Sequence, residues 1–74
     1  MQHDIPADTL NRNINYCIDE YVRLIKHRDM LRDKWFYGLT ISQIAEKYGI
    51  SDTAVKSVIY DIGDEILLRA SKMK

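Results

Sequence analysis

The side chains best suited to binding chemistry lie in one short segment, residues 51–60. Hydroxyl groups, one carboxylate and one ammonium group recur there at positions that would share the outer face of a helix. They are Ser51, Asp52, Thr53, Lys56, Ser57 and Tyr60. These groups can donate and accept hydrogen bonds, so the segment is typical of a recognition surface.

Catalytic chemistry is not indicated anywhere in the chain. His3 and His27 are far apart in sequence, and with Cys17 they match no known spacing of metal ligands. There is no glycine-rich phosphate loop, and the adjacent carboxylates at 19–20 and 64–65 are typical of solvated helix faces. We therefore expect no enzyme activity, no metal site and no cofactor.

Two amphipathic helices are predicted to hold the polar segment. Apolar residues recur at i, i+3, i+4 and i+7 on both sides of Gly49. The first set is Ile41, Ile44, Ala45 and Tyr48, and the second is Val55, Val58, Ile59 and Ile62. The spacing predicts two helices joined by a turn of three residues.

Local signals mark where these two helices begin and how they cross. Thr40 with Gln43 is a capping box, and Ser51 is a second N-cap. Gly49 accepts the positive φ that a tight turn needs, and Ala45 is small enough for a close crossing of the two backbones. An ordinary helical hairpin is the alternative, but the agreement of many positions favours a helix-turn-helix.

Residues 38–60 resemble the helix-turn-helix of sigma factor region 4 and of response-regulator output domains. The similarity lies in G-x-T-x-x-x-IA ending at Ala45, YGIS ending at Ser51, and AVKS at residues 54–57. It extends more loosely to residues 28–37, since a helix with an arginine and large apolar residues often precedes the motif. The whole chain is also similar to small regulators of bacteriophages and prophages.

The resemblance implies that the helix after Ser51 enters the major groove of DNA. Lys56 would donate to guanine or phosphate, and Asp52 would accept from cytosine while repelling phosphate. The start of the preceding helix would contact the DNA backbone. The expected contacts there are Thr40, Ser42 and Gln43, with Arg28 and Arg32 on the helix before it.

Charge is the main argument against DNA binding. The formal net charge is zero, whereas phosphate contacts usually require a basic face. Residues 11–38 carry six cations against four acids, a net of +2, and residues 51–68 carry one against four, a net of −3. A basic surface is expected from Arg23, Lys26, Arg28, Arg32, Lys34, Lys47 and Lys56. The alternative is that these side chains are simply solvated.

The overall prediction is an all-α, four-helix domain with a C-terminal helix-turn-helix. Residues 1–7 would be a flexible lead-in, and residues 8–74 a single domain with the motif at 40–62. The first helix would begin at Asp8 or Thr9 and run to about Lys26, with a break near His27. The second would end at Gly38, and the last would continue through Gly63.

The buried face of the first helix and the centre of the core follow from the same periodicity. The first helix would bury Ile14, Cys17, Ile18, Tyr21, Val22 and Ile25. The second would turn Leu31, Trp35 and Phe36 inward. The core would centre on Ile18, Tyr21, Leu31, Trp35, Ile44, Ala45, Val55, Val58 and Ile62.

Compartment and assembly are also predicted. Cys17 is the only cysteine and no apolar run could span a bilayer, so we expect a cytoplasmic protein without membrane contact. A homodimer is expected through the C-terminal helix, at Ile66, Leu67, Leu68 and Met73. Tyr16 and Ile14 offer a second exposed apolar surface. The alternative is a monomer whose last helix folds over Trp35 and Phe36.

Three functions fit these features. The favoured one is a sequence-specific regulator of transcription that binds double-stranded DNA. The second is an adaptor that keeps the fold but binds RNA polymerase or another regulator, which suits the acidic residues 61–65. The third is a small structural or packaging accessory. A steep salt dependence of binding to duplex DNA would distinguish the first from the others.

Overall fold

A computed structural model describes the backbone of residues 7–73 and the side chains of residues 8–73. This part of the chain is helical and contains no strand. The segments are α1 (Ala7–Tyr21), α2 (Ile25–Trp35), α3 (Ile41–Tyr48), α4 (Asp52–Lys56), a π-helical segment (Ser57–Ile62) and α5 (Gly63–Lys72). The predicted lead-in lies outside the described residues, except Ala7, which begins α1.

The last three segments form one continuous helix, called here the C-terminal helix. The backbone stays right-handed at both junctions, with φ −60° at Ser57 and −62° at Gly63. Counted with α1, α2 and α3, this makes four helices, and the predicted all-α class is confirmed. The prediction that the helix continues through Gly63 is confirmed too, but its π-helical segment was not anticipated.

One apolar core joins all four helices. Of the nine residues predicted at its centre, six are buried: Ile18, Leu31, Ile44, Ala45, Val55 and Val58. Trp35 and Ile62 are only partly buried and pack against that core. The prediction for Tyr21 is wrong, since this side chain is 49% exposed, and the fully buried Met30 was missed.

The break between the first two helices lies earlier than predicted. α1 ends at Tyr21 and α2 begins at Ile25, so the break is at residues 22–24 and not near His27. The Arg28 Nε donates to the Val22 carbonyl at 2.7 Å, satisfying an acceptor that the end of α1 leaves open. Ile25 therefore lies outside the first helix and is 69% exposed, which corrects its predicted burial.

α2 also ends earlier than predicted. Its last residue is Trp35, and Phe36 rather than Gly38 is the C-cap residue, its N–H donating to the Arg32 carbonyl. Gly38 has a φ of +74° and lies in the loop to α3. The glycine thus serves the turn after the helix.

The predicted local signals around α3 are all present. Thr40 and Gln43 form both hydrogen bonds of the capping box, at 3.1 and 2.8 Å. The Ser51 hydroxyl accepts from the Ala54 N–H at 3.1 Å. Gly49 has a φ of +68°, the left-handed conformation expected at the turn.

Gly63 is a contact point between helices and not merely a tolerated glycine. It is buried, and a Cβ built there would lie 2.9 Å from the Trp35 Cζ2 and 3.3 Å from the Leu31 Cδ2. The absence of a side chain is what lets the C-terminal helix approach α2 so closely.

The end of the C-terminal helix packs on α1. Ile66 and Ala70 are buried, the Asn13 amide donates to the Ala70 carbonyl at 3.4 Å, and Cys17 meets Met73 at 3.5 Å between sulfur atoms. Ile66 and Met73 are therefore part of the fold and not of the expected dimer surface. Leu67 and Leu68 remain exposed.

The second apolar surface expected on α1 is smaller than predicted. On α1, Ile14 is buried and only Tyr16, at 52%, is exposed, so the second apolar surface expected there is reduced to one side chain. No helix among the described residues is long and apolar enough to cross a membrane.

Candidate nucleic-acid interface

The amino-terminal ends of α3 and the C-terminal helix meet on one surface. The Ser42 hydroxyl donates to the Asp52 carboxylate at 3.2 Å, and so joins the first turn of one helix to the first turn of the other. Each helix end presents unpaired backbone N–H groups and the positive end of a dipole. Both ends face solvent through exposed residues, so the surface is suited to an anion.

The side chains expected to contact DNA from these two helices are all exposed. This holds for Thr40, Ser42, Gln43, Ser51, Asp52, Thr53, Lys56, Ser57 and Tyr60. Thr40, Gln43 and Ser51 also cap their own helices, which fixes their positions. Ala54, which the sequence analysis did not predict as a DNA contact, is exposed among them too. Its methyl group is of the kind that contacts thymine.

Arg28 and Arg32 serve the fold at the junction of α1 and α2. Arg28 binds the Val22 carbonyl, as described above. The Arg32 guanidinium donates to the Asn15 side chain at 2.9 Å and to Asp19 at 3.0 Å, and its side chain is 25% exposed. Arg28 therefore uses its Nε within the fold, and Arg32 uses its Nε and Nη2.

Lys47 is held by a buried carboxylate that the sequence did not single out. Asp33 is 4% exposed and accepts from the Lys47 Nζ at 3.0 and 3.1 Å and from the Tyr48 hydroxyl at 2.8 Å. These bonds anchor α3 to α2.

The contacts around Asp33 raise the pKa values of the two groups that donate to it, Lys47 and Tyr48. The hydrogen bond to Asp33 is the main cause that raises the pKa of Lys47 above its ordinary 10.5. Burial, followed by the hydrogen bond to Asp33, raises the pKa of Tyr48 above its ordinary 10.0. Both groups therefore stay protonated at neutral pH, as the anchor requires.

The predicted basic surface divides into separate parts. Of its seven cations, Arg32 and Lys47 form ion pairs and Arg28 donates to a backbone carbonyl. The other four form no ion pair within the described residues: Arg23, Lys26, Lys34 and Lys56. Arg23 and Lys26 flank the start of α2 and Lys34 lies near its end, about 15 Å away at the rise of an α-helix. Lys56 is the one of these four within the C-terminal helix.

One acidic side chain lies where the two helix ends meet, and another lies farther along the C-terminal helix. Asp52 lies in the first turn of α4, where the helix dipole stabilises its carboxylate. The same negative charge weakens the attraction of this surface for an anion. Farther along, Asp61 accepts from the Ser57 hydroxyl at 3.1 Å. The surface is thus rich in hydroxyl groups and carries Lys56 as its main cation.

Neither a metal site among the described residues nor similarity to a known protein indicates a function for this surface. Within residues 8–73 no group of three or more histidine, cysteine or acidic side chains is arranged to hold a metal ion. No family model, curated protein or solved structure matches the chain.

Proposed function

We propose that the protein is a sequence-specific regulator that binds double-stranded DNA through the surface where α3 and the C-terminal helix begin. The observation that carries the proposal is the meeting of two exposed helix N-termini, joined by the hydrogen bond from Ser42 to Asp52. This surface offers backbone N–H groups, hydroxyls and Lys56 to a polyanion. In this proposal the protein acts in the cytoplasm, as small phage regulators do.

The contacts follow from the position of each group. Thr40, Ser42 and Gln43, at the start of α3, would face the phosphate backbone. The C-terminal helix would enter the major groove with its first turns, presenting Thr53 and Ser57 to base edges and Lys56 to phosphate. Asp52 would reject positions where phosphate comes close, trading affinity for selectivity.

A second function is favoured by the internal pairing of cations. Because Arg32 and Lys47 are each paired with a carboxylate, the chain has less free positive charge than is typical of a DNA-binding domain. The same fold would then serve as an adaptor that binds RNA polymerase or another regulator through a surface with little charge.

The salt dependence of binding to a duplex distinguishes the two functions. Fluorescence anisotropy with a labelled duplex, measured over a range of salt concentrations, should give an affinity that falls steeply as salt rises. Lys56→Ala should weaken binding and lower the magnitude of the logarithmic salt slope by about 1, the value for one phosphate contact.

Lys72→Ala is the matched control, since this exposed lysine lies at the other end of the same continuous helix. It should leave the slope unchanged. Equal effects of the two substitutions, or no binding at low salt, would reject the DNA-binding surface and favour the adaptor.

A further inference from the structure

A groove runs between the α1–α2 connection and the C-terminal helix. Its volume is about 480 Å³. Val22, Arg23 and Leu24 lie along one wall, and Asp61, Ile62 and Glu65 along the other. None of its lining residues is among the proposed DNA contacts, although Asp61 accepts a hydrogen bond from the Ser57 hydroxyl.

An apolar projection is formed by Leu24, on the wall of this groove, and by its neighbour Ile25. Leu24 is 58% exposed and Ile25 is 69% exposed, although both are large aliphatic side chains at the start of α2. Tyr21, which also lines the groove, is 49% exposed. Adjacent exposed apolar side chains beside a concave surface are typical of a protein–protein contact.

Each wall carries one charge without an ionic partner within the described residues, and these two charges are of opposite sign. Arg23 forms no ion pair within the described residues, and neither does Asp61 on the facing wall. The groove therefore offers both signs of charge to whatever fills it.

Part of the groove lining is already ordered by contacts within the chain. The Arg69 guanidinium lies 4.1 Å from the centre of the Tyr21 ring and donates to Glu65 at 2.9 Å. These contacts link α1 to the C-terminal helix, so the groove exists before any partner binds. A preformed site loses less entropy on association.

We propose that the occupant is a second copy of this chain, bound about a two-fold axis. In such a dimer, Leu24 and Ile25 of each copy would enter the groove of the other, and Arg23 would face the partner's Asp61. A two-fold contact requires a surface that complements itself. The adjacent projection and groove meet that requirement in shape, and the opposed walls meet it in charge.

This dimer differs from one built on the exposed leucines of α5. It needs no DNA, so its failure would leave the proposed DNA-binding surface untouched, and loss of DNA binding would leave the dimer untouched. If both hold, two recognition helices would be presented to a symmetric site.

Sedimentation equilibrium of the full chain tests the proposal. The chain should be dimeric at high micromolar concentration, and Leu24→Glu should raise the dimer dissociation constant roughly tenfold or more, as expected for a buried anchor. Leu68→Glu is the matched control, because Leu68 is 57% exposed and does not line the groove. Circular dichroism would confirm that both variants stay folded.

Charge reversal tests the orientation. Arg23→Glu and Asp61→Arg should each weaken the dimer, and an equimolar mixture of the two variants should restore it, because every contact then joins opposite charges. A monomeric parent chain, a larger effect of Leu68→Glu than of Leu24→Glu, or a mixture no stronger than its components would overturn the proposal.

Discussion

The buried carboxylate of Asp33 is the residue on which the position of α3 depends most clearly. It accepts three hydrogen bonds, two from Lys47 and one from Tyr48, and so attaches the last turn of α3 to α2. Lys47 stabilises the fold through its bonds to Asp33, so it is not simply a candidate for DNA contact.

Asp33→Ala should lower the free energy of unfolding by about 1–3 kcal/mol, because the partly buried Tyr48 hydroxyl loses its acceptor. Chemical denaturation monitored by circular dichroism measures this change. Asp29→Ala, at an exposed position of the same helix, is the control and should change stability by no more than about 0.5 kcal/mol. Equal losses at both positions would contradict the anchoring role.

The same cluster predicts how stability changes at alkaline pH. The pKa values of Tyr48 and Lys47 are raised by folding from 10.0 and 10.5, so the folded state holds these protons more tightly than the unfolded chain does. The stability they contribute is complete below those values and is lost as the pH rises through the folded pKa values.

Denaturation at pH 9 and again above pH 10 measures this loss of stability. Tyr48→Phe should lose less stability than the parent over that interval, because one of the two shifted groups is gone. An equal loss in parent and variant would show that Tyr48 does not take part.

At the scale of the helices, the close approach of the C-terminal helix to α2 depends on Gly63. Alanine in a helix is ordinarily favoured over glycine by about 1 kcal/mol. Here the added Cβ would lie 2.9 Å from the Trp35 ring, and overpacking of this kind costs about 1–3 kcal/mol. Gly63→Ala should therefore destabilise the protein by about 1 kcal/mol.

Ala54→Gly, at an exposed position of the same helix, measures helix propensity alone and should cost about 1 kcal/mol. Thermal unfolding of the two variants and the parent chain measures both changes in stability. A gain in stability for Gly63→Ala would show that the helices do not meet at this glycine.

The helices that carry local signals could be predicted from the sequence, and the junctions set by tertiary contacts could not. Thr40, Gln43, Gly49 and Ser51 act within a few residues of themselves, so their roles are visible in the sequence. The break after Tyr21 has no glycine or proline to mark it, and the carbonyl it exposes is satisfied by Arg28, six residues beyond Val22.

The candidate site shows the same division. The exposed face of the C-terminal helix follows from periodicity, and its predicted residues are exposed. The pairing of Arg32 with Asp19 and of Lys47 with Asp33 depends on how helices pack together. No count of charges along the chain could separate held cations from free ones.

At the scale of the whole molecule, the two proposed surfaces involve different parts of the chain. One lies where α3 and the C-terminal helix begin, and the other is the groove beside the α1–α2 connection. The described structure measures 39 × 22 × 17 Å. The two surfaces share no residue, and they come closest where Asp61 of the groove accepts from the Ser57 hydroxyl.

The most direct test of the DNA-binding surface is a nitrogen–proton NMR titration of the labelled chain with a short duplex at low salt. The amide signals of residues 40–43 and 51–60 should shift, and those of residues 67–72 should not. No shift at any residue, or shifts confined to the groove residues 21–24 and 61–66, would contradict the proposed DNA-binding surface.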